Sequence, residues 1–289
     1  MKINRQFCGG QRSDSGKFAF ISGERKACLF DSENEKVIDT FSFSADAVTF
    51  DQEENYMYAM EMSGKLHVYN ILEKKEVFSK QLLQKDITCE SGVGVTAEKI
   101  IYFIGNDENA KHYCFQYELN CKKLKYWEIE IGSLIAGNIN GKILYNYSDE
   151  EDFTYFQIIS KDMTPQLWIK SSRIDECKIR NNVLFFIQFE GTDTFLIKQN
   201  DKKIVQKEKL VDELSHVFKH PVNWDTDGRY MGVVFYDENT QEDRVICYDL
   251  LKKRFLINEE MEYAMRICIM KNGILYGGMK TIFVPFEKD

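Results

Sequence analysis

The feature that most constrains the fold is a repeated pair of short strands joined by a polar turn. Its clearest copy is residues 64–78, GKLHVYNILEKKEVF, where a glycine turn precedes a strand, a lysine-rich turn and a second strand. Related copies occur at residues 30–38, 117–127, 158–168, 197–207 and 248–257, and residues 282–286 begin another. Such a repeat decides the fold before any local propensity does.

The period of the repeat predicts the architecture. The last apolar residue of the first strand in each copy serves as a marker: Phe30, Tyr69, Tyr117, Ile158, Ile197, Tyr248 and Val284. The markers are 39, 48, 41, 39, 51 and 36 residues apart, a mean of about 42 that matches a four-stranded propeller blade. Most markers are preceded by two more strand-like runs, several joined by Asn-Gly or Asp-Gly hairpin turns. We therefore expect an all-β fold, a seven-bladed β-propeller of four-stranded antiparallel blades.

The two ends of the chain are expected to meet in one blade. The seventh copy stops after its third strand, which would leave an open edge. The segment Lys2–Phe7 precedes the first copy and is free to pair there. We predict that this N-terminal strand closes the ring, and that residues 1–289 form a single propeller domain.

Composition sets the expected location. The first twenty residues lack the apolar core of a secretory signal, and no run approaches the roughly 18 apolar residues of a membrane helix. Four of the eight cysteines, Cys28, Cys114, Cys247 and Cys268, lie among apolar neighbours in predicted strands, where free cysteine acts as a small hydrophobe. We expect a cytoplasmic protein with reduced cysteines and no membrane partner.

Aromatic residues followed by an acid or amide end several third strands, at Phe30-Asp31, Tyr69-Asn70, Tyr117-Glu118 and Tyr248-Asp249. In period and in these pairs the chain resembles the WD-repeat propellers and their degenerate relatives, although no Trp-Asp pair stands at these places and the Gly-His pair of that family is missing. The resemblance implies a rigid binding platform, while other propellers are enzymes. Fold alone does not choose between these.

One insertion interrupts the repeat. Residues 210–219, LVDELSHVFK, are the one stretch with a helical pattern, ended by Pro221. The segment around them, residues 208–224, lengthens the spacing between the fifth and sixth copies to 51. His216 and His220 would share a helix face, with Phe218 and Trp224 nearby. A binding loop and a lid that only covers the blade are both open interpretations.

Charge divides by loop type. The loops between second and third strands carry acidic residues, namely Asp107, Glu108, Asp149, Glu150, Glu151, Asp152, Asp237, Glu238, Glu242 and Asp243. The turns between third and fourth strands carry basic residues, including Lys74, Lys122, Lys202 and Lys253. The pattern predicts an acidic loop face, which would steer a basic partner and repel nucleic acid. A solvated surface without function is the alternative.

These observations favour a protein- or peptide-binding scaffold that has no cofactor and whose partner is another protein, basic in character. Nothing in the chain is a catalytic signature. The alternative is a propeller hydrolase or lactonase that holds a divalent cation such as Ca²⁺ at the central channel. Asp46, Glu90, Asp175 and Asp212 are the loop residues that such a site would use.

Overall fold

A computed structural model describes residues 1–23, 26–45, 47–149, 151, 153–159, 165–172, 174, 176–200, 203–218 and 221–287. The chain forms seven antiparallel sheets that follow one another along the sequence. One short helix interrupts the strands of the described residues. The predicted all-β fold, a seven-bladed β-propeller, is therefore confirmed.

The first half of the chain supplies β1 and the first four sheets. The strand β1 (Lys2–Ile3) is followed by the first sheet, β2 (Phe18–Ser22), β3 (Ala27–Asp31) and β4 (Lys36–Phe41). The second sheet contains β5 (Ala47–Phe50), β6 (Tyr56–Met60), β7 (Lys65–Asn70) and β8 (Lys75–Gln81). The third contains β9 (Ile87–Val95), β10 (Ile100–Asp107), β11 (His112–Glu118) and β12 (Lys123–Ile129). The fourth contains β13 (Leu134–Ile139), β14 (Lys142–Ser148), β15 (Phe153–Ile159) and β16 (Pro165–Ser172).

The second half supplies the remaining three sheets. The fifth contains β17 (Cys177–Arg180), β18 (Val183–Glu190), β19 (Asp193–Asn200) and β20 (Lys203–Lys209), and the helix α1 (Asp212–Val217) follows it. The sixth contains β21 (Pro221–Thr226), β22 (Tyr230–Asp237), β23 (Glu242–Asp249) and β24 (Arg254–Glu260). The seventh contains β25 (Ala264–Met270), β26 (Gly273–Gly278) and β27 (Thr281–Pro285).

The N-terminal strand completes the seventh sheet, as predicted. In this sheet the strand order is β1-β27-β26-β25, and Lys2 lies opposite Ile282. The strand is shorter than expected because the chain turns after Ile3, where the Arg5 N–H bonds to the Ile3 carbonyl. Phe7 still joins this sheet through its N–H to the Gly278 carbonyl, and its side chain is fully buried.

The first sheet obtains its innermost pairing from an irregular segment rather than a regular strand. Gly9 bridges to Ser22, and Arg12 bridges to Ala19. Gly10 lies between them with a φ of +103°, and a Cβ there would stand 2.1 Å from the Phe20 carbonyl oxygen. The close approach of the two backbones thus requires glycine at this position.

Two compact units divide the chain. Unit 1 comprises Met1–Ser44, Phe185–Gln199 and Ile204–Asp289, and unit 2 comprises Ala45–Leu184 and Asn200–Lys203. Second strands such as β10 are buried on both faces over most of their length, third strands such as β15 and β19 are partly buried, and fourth strands such as β8 and β20 are mostly exposed. The second strands therefore read as nearly continuous apolar runs.

Aromatic and aliphatic side chains fill the space between neighbouring sheets within each unit. In unit 1, Phe30 of β3 and Phe283 of β27 are fully buried, with ring centroids 5.1 Å apart. In unit 2, Phe103 and Phe115 stack at 5.1 Å in a cluster that also contains Tyr58 of the second sheet. Truncation of such a phenylalanine to alanine costs about 3–5 kcal/mol.

The acid or amide that follows the aromatic marker has a local structural role. The Asp31 carboxylate accepts the backbone N–H groups of Glu33 and Asn34 at 2.9 and 3.1 Å. Asp249 accepts those of Leu251 and Lys252 at 3.0 and 2.9 Å. Such a side chain holds the turn between third and fourth strands. Each of these turns ends in a residue with a φ near +50°, as at Glu35, Lys74, Lys122 and Lys253.

Candidate functional site

Each sheet has two ends, and the strand order decides which loops lie at each. The loop end of a sheet is the end with the loop between the second and third strands, and the first strand also starts there. The opposite end, which has the turn between the third and fourth strands, is the turn end. Nine of the eighteen exposed large apolar side chains of the described residues lie at the loop end, and six lie on fourth strands. The loop-end residues in unit 1 are Phe189, Val222, Tyr236, Tyr263, Met265 and Met279, and in unit 2 they are Met62, Ile131 and Leu134. By contrast, Leu72 and Leu251 are the exposed large aliphatic residues of the described turns between third and fourth strands.

A β-bulge recurs in the first strands close to the loop end. Val222 of β21 is the extra residue between the pairs Pro221–Phe235 and Asn223–Val234. Met265 of β25 is the extra residue between Ala264 and Arg266. A bulge redirects a side chain that would otherwise face the core. Accordingly, Val222 and Met265 are 50% and 42% exposed.

The first strand of the third sheet, β9, has a longer bulge, also close to the loop end. Cys89 pairs with Gly105 and Val93 pairs with Phe103, so residues 90–92 lie opposite Ile104 alone. Gly92 has a φ of +110°, which few other residues adopt. The bulge places Glu90 at the edge of the sheet.

The acidic residues predicted to bind a partner lie in the predicted loops at the loop end. Asp107 and Glu108 connect β10 to β11, Asp149 and Glu151 connect β14 to β15, and four more connect β22 to β23 or begin β23. These four are Asp237, Glu238, Glu242 and Asp243. Glu150, Asp152 and Lys202 lie outside the described residues. The binding role of the acidic residues stays a prediction.

Three of these acids hold their own loops. Asp149 accepts the N–H groups of Glu151 and Phe153 at 3.1 and 2.9 Å and the Tyr155 hydroxyl at 2.8 Å. The hydrogen bond from the Phe153 N–H is the main cause that holds the pKa of Asp149 below its usual range. Asp107 and Asp237 occupy the same position in their loops and bind backbone N–H groups in the same way. The neighbouring Glu108, Glu151 and Glu238 are exposed.

A cleft of about 600 Å³ opens at the loop end of unit 2. Its apolar wall comes from Ala47, Met60, Met62 and Leu134, and its polar wall from Thr88, Glu90, Asn106 and His112, with Cys89 and Gly132 completing it. A volume of this size and a mostly apolar lining with few polar groups are typical of ligand sites. Burial raises the pKa of the Cys89 thiol to about 12, which makes it a poor nucleophile.

Glu90 and His112 are neighbours in the polar wall of this cleft. The His112 side chain is 10% exposed and the Glu90 side chain 25% exposed, and His112 Nδ1 lies 3.5 Å from Glu90 Oε2. Nδ1 is buried and makes no hydrogen bond within the described part of the chain. A buried polar atom without a partner costs about 1–3 kcal/mol, so its retention needs a reason.

A second, more polar cleft of about 410 Å³ adjoins the first. The two share Thr88 and Asn106, and the second is also lined by Lys85, Asp86, Asp107 and Glu108. Two acidic residues predicted from the loop pattern thus line a cavity. Sequence reasoning missed His112, because a single histidine in a strand gives no signal, and it considered Glu90 only for a cation site.

The inserted segment forms a helix, shorter than the predicted pattern. His216 is exposed in α1, and His220 lies outside the described residues. Phe218 and Trp224 are 3% and 2% exposed and pack edge to face with centroids 5.9 Å apart. Trp224 belongs to β21 rather than to the loop, since that strand already begins at Pro221. Burial of both aromatic rings favours a covering role for this segment.

The alternative cation site lacks support from the described residues. No group of three or more His, Cys, Asp or Glu side chains in that part of the chain converges as a metal site. Of the four residues named for it, Asp46 and Asp175 lie outside the described residues, Asp212 begins α1, and Glu90 lines the cleft. The absence of a cofactor stays a prediction.

Comparisons with known proteins bear on the fold. The sequence matches no protein-family model, and no curated protein matches it either. Among solved structures, the chain is similar to the β-propeller domain of Cps50 (Swd1) from Myceliophteria thermophila, with a TM-score of 0.66 and 9% identity. The match covers 98% of this chain and 97% of that one. No helix in the described ranges is long and apolar enough to cross a membrane.

Proposed function

We propose that the protein is a binding scaffold that contacts a partner protein through the loop ends of its sheets. The observation that carries this proposal is the exposure of Tyr236, Tyr263, Met265 and Met279 at the loop end of unit 1. Exposed aromatic and methionine side chains are enriched in protein interfaces. The β-propeller fold shared with a solved propeller domain supports a scaffold without requiring one.

The partner is basic at the positions that face the acidic loops. The exposed Glu238 and Glu242 lie in the same unit as this apolar surface, and Glu108 and Glu151 lie at the loop end of unit 2. The chain carries a net charge of −8, which disfavours nucleic acid. Attraction between exposed charges weakens as salt shortens the Debye length from about 10 Å at 0.1 M to about 3 Å at 1 M. Association should therefore slow with added salt.

Variants on the two ends of the sheets test the proposal. The loop-end variant combines Tyr236→Ser, Tyr263→Ser and Met279→Ser, and the control is Leu251→Ser, whose side chain is 74% exposed in a third-to-fourth turn. Partners captured by the wild-type protein are identified by quantitative mass spectrometry, purified and titrated against each variant. We expect the loop-end variant to lose at least about tenfold in affinity, since loss of interface aromatic residues costs more than 1.4 kcal/mol. A partner that is lost equally from the control, or kept by the loop-end variant, would overturn the proposal.

A further inference from the structure

We propose that the cleft lined by Glu90 and His112 binds one arginine or lysine side chain of the partner. This inference rests on the proposed scaffold function and gives the chemistry of one of its contacts. The cleft combines an apolar wall with a single carboxylate within its polar wall. A long cationic side chain has the complementary character, an aliphatic stem that ends in a positive charge.

The apolar wall suits the stem. Met60 is 1% exposed and fixed in the core, whereas Met62 is 64% exposed and free to adjust at the rim. Leu134, 38% exposed, lies at the start of β13 and lines the same cleft. Methionine side chains are unbranched and polarisable, so they adapt to ligands of irregular shape. These side chains can cover the methylene groups of arginine or lysine.

The polar wall suits the charge. The Glu90 carboxylate is partly shielded from water, so an ion pair made there is stronger than one on the open surface. His112 acts as a positioning residue, because its Nδ1 points at Glu90 Oε2 from 3.5 Å and has no other partner within the described residues. When Nδ1 moves within hydrogen-bond distance of Oε2, it holds the Glu90 carboxylate in the orientation that faces the ligand. The gap of 3.5 Å between Nδ1 and Oε2 is longer than a hydrogen bond, and ligand binding can close it.

The adjoining polar cleft has room for a second positive group. It holds three acidic residues, Asp86, Asp107 and Glu108, against the single cation Lys85. The Asp107 carboxylate is engaged by its own loop, so Asp86 and Glu108 supply the attraction. A partner segment with two neighbouring basic residues fits the pair of clefts.

The experiment uses the whole chain labelled with ¹³C at the methionine methyl groups and observed by NMR. The sequence contains ten methionines, and the signals of Met60 and Met62 are assigned from Met60→Leu and Met62→Leu. The probes are blocked tripeptides with a central arginine, a central lysine or a central citrulline, the last being a neutral analogue of arginine. We expect the arginine and lysine probes to shift these two signals saturably, and the citrulline probe to bind at least about tenfold more weakly, because only the charged head pairs with Glu90.

Glu90→Gln should abolish the preference for arginine over citrulline. Its control is Glu73→Gln, an exposed acid in the turn between β7 and β8, which should keep that preference. His112→Leu should reduce the preference without lowering the unfolding midpoint, and His112→Gln, which keeps a hydrogen-bond donor, should restore part of it. A purely structural role for His112 would lower the midpoint and leave the preference unchanged.

The outcomes separate this inference from the scaffold proposal. Equal binding of arginine and citrulline probes, an unchanged preference in Glu90→Gln, or no saturable shift up to about 10 mM probe would each overturn the cleft assignment. Partner loss in the loop-end variant of unit 1 would still support the scaffold. Probe binding as expected, with all partners kept by the loop-end variant, would overturn the scaffold and leave the cleft as a site for cationic ligands.

Discussion

Two buried histidines of unit 2 stand in third strands of successive sheets and differ in one respect. His67 of β7 is 4% exposed, and its two ring nitrogens lie 2.7 Å from Glu76 Oε2 and from Glu61 Oε1. His112 of β11 is 8% exposed, and its Nδ1 makes no hydrogen bond among the described residues. His67 lies within a closed polar network, whereas His112 lines a cleft. A completed network holds the structure together, while an incomplete one is available to a ligand.

The largest loss of stability is expected when a residue is removed from a second complete polar network, the one around Arg12 in unit 1. Arg12 Nε donates to Asp225 Oδ2 at 2.7 Å with both side chains 2% exposed, and Arg12 also donates to the carbonyls of Ser13, Asp14 and Thr226. Arg12→Ala removes the cation beside the buried Asp225 carboxylate, which keeps the hydrogen bond from the Ile269 N–H, and should lower the free energy of unfolding by about 3–5 kcal/mol. Urea unfolding measures this loss.

The control for Arg12 is an exposed ion pair of the same unit. Lys17 Nζ lies 3.3 Å from Glu33 Oε2, with the two side chains 37% and 31% exposed. Lys17→Ala should change the free energy of unfolding by less than about 1 kcal/mol. If Arg12→Ala lowers the free energy of unfolding no more than Lys17→Ala does, then burial and hydrogen bonding do not decide which charged residues stabilise this protein.

His67→Leu is the next largest expected change. It removes both short contacts and leaves the carboxylates of Glu61 and Glu76 without this partner. Hydrogen bonds to charged groups contribute about 1.5–3 kcal/mol each, and part of this is recovered because both carboxylates have access to water. We expect a loss of about 2 kcal/mol in the free energy of unfolding, measured in urea. An unchanged stability would contradict a structural role for His67.

His112→Leu should raise the free energy of unfolding, whereas His67→Leu lowers it. It removes a buried nitrogen that has no hydrogen bond, and leucine fills a similar volume next to Met60 and Cys89. We expect a gain of about 1 kcal/mol in the free energy of unfolding, as is common when a binding residue is replaced. A loss of 2 kcal/mol or more would show that His112 is as structural as His67, and the comparison would fail.

A smaller effect should appear at low pH through Asp149. Hydrogen bonds from Phe153 and Tyr155 depress the pKa of this carboxyl in the folded protein. Its contribution to stability is therefore present above the unfolded pKa of about 3.9 and is lost as pH falls through the folded pKa. Asp149→Asn should flatten the fall of the urea midpoint between about pH 5 and pH 2. Glu151→Gln, which removes an exposed charge in the same loop, should leave the slope unchanged if hydrogen bonding is the cause.

Thiol reactivity gives the smallest and most local test of the cleft. No disulfide joins any of the eight cysteines, all of which lie in the described part of the chain. Burial raises the pKa of Cys89 in the cleft to about 12 and that of Cys28 in unit 1 to about 11, so neither should react at pH 8 in the folded protein. Cys121 is exposed and should react first, and denaturant should expose eight thiols to Ellman's reagent. Reaction of Cys89 well before Cys28 would show that the cleft opens more readily than the core.

Much of the fold was predictable because each copy of the repeat is a short, contiguous stretch of sequence. The markers from Phe30 to Val284 all lie in third strands, and four of the seven are aromatic residues followed by an acid or amide. The acidic loops were found in the same way, but their first residues were taken only as binding groups. The spacing of Asp107 to Tyr113 and of Asp149 to Tyr155, six residues in each case, was the available signal that these acids bind within their loops.

The cleft and the buried charges were not predictable from one sequence. Arg12 and Asp225 are 213 positions apart, and neither stands in a motif. Glu90 reaches the cleft because of a bulge that no hydrophobic pattern reveals. His112 becomes notable only when its surroundings show that its nitrogen has no partner. Such features depend on how separate strands approach each other, which local propensity does not encode.

The pairing of β1 with β27 has a consequence for synthesis. Met1 donates from its amino group to the carbonyl of Phe283, 282 positions later, so these contacts cannot form until nearly all of the sheets have left the ribosome. Until then β1 has no partner strand, and it is open to pairing with another nascent chain. Closure of the seventh sheet therefore depends on residues up to 282 positions apart and follows the synthesis of β27.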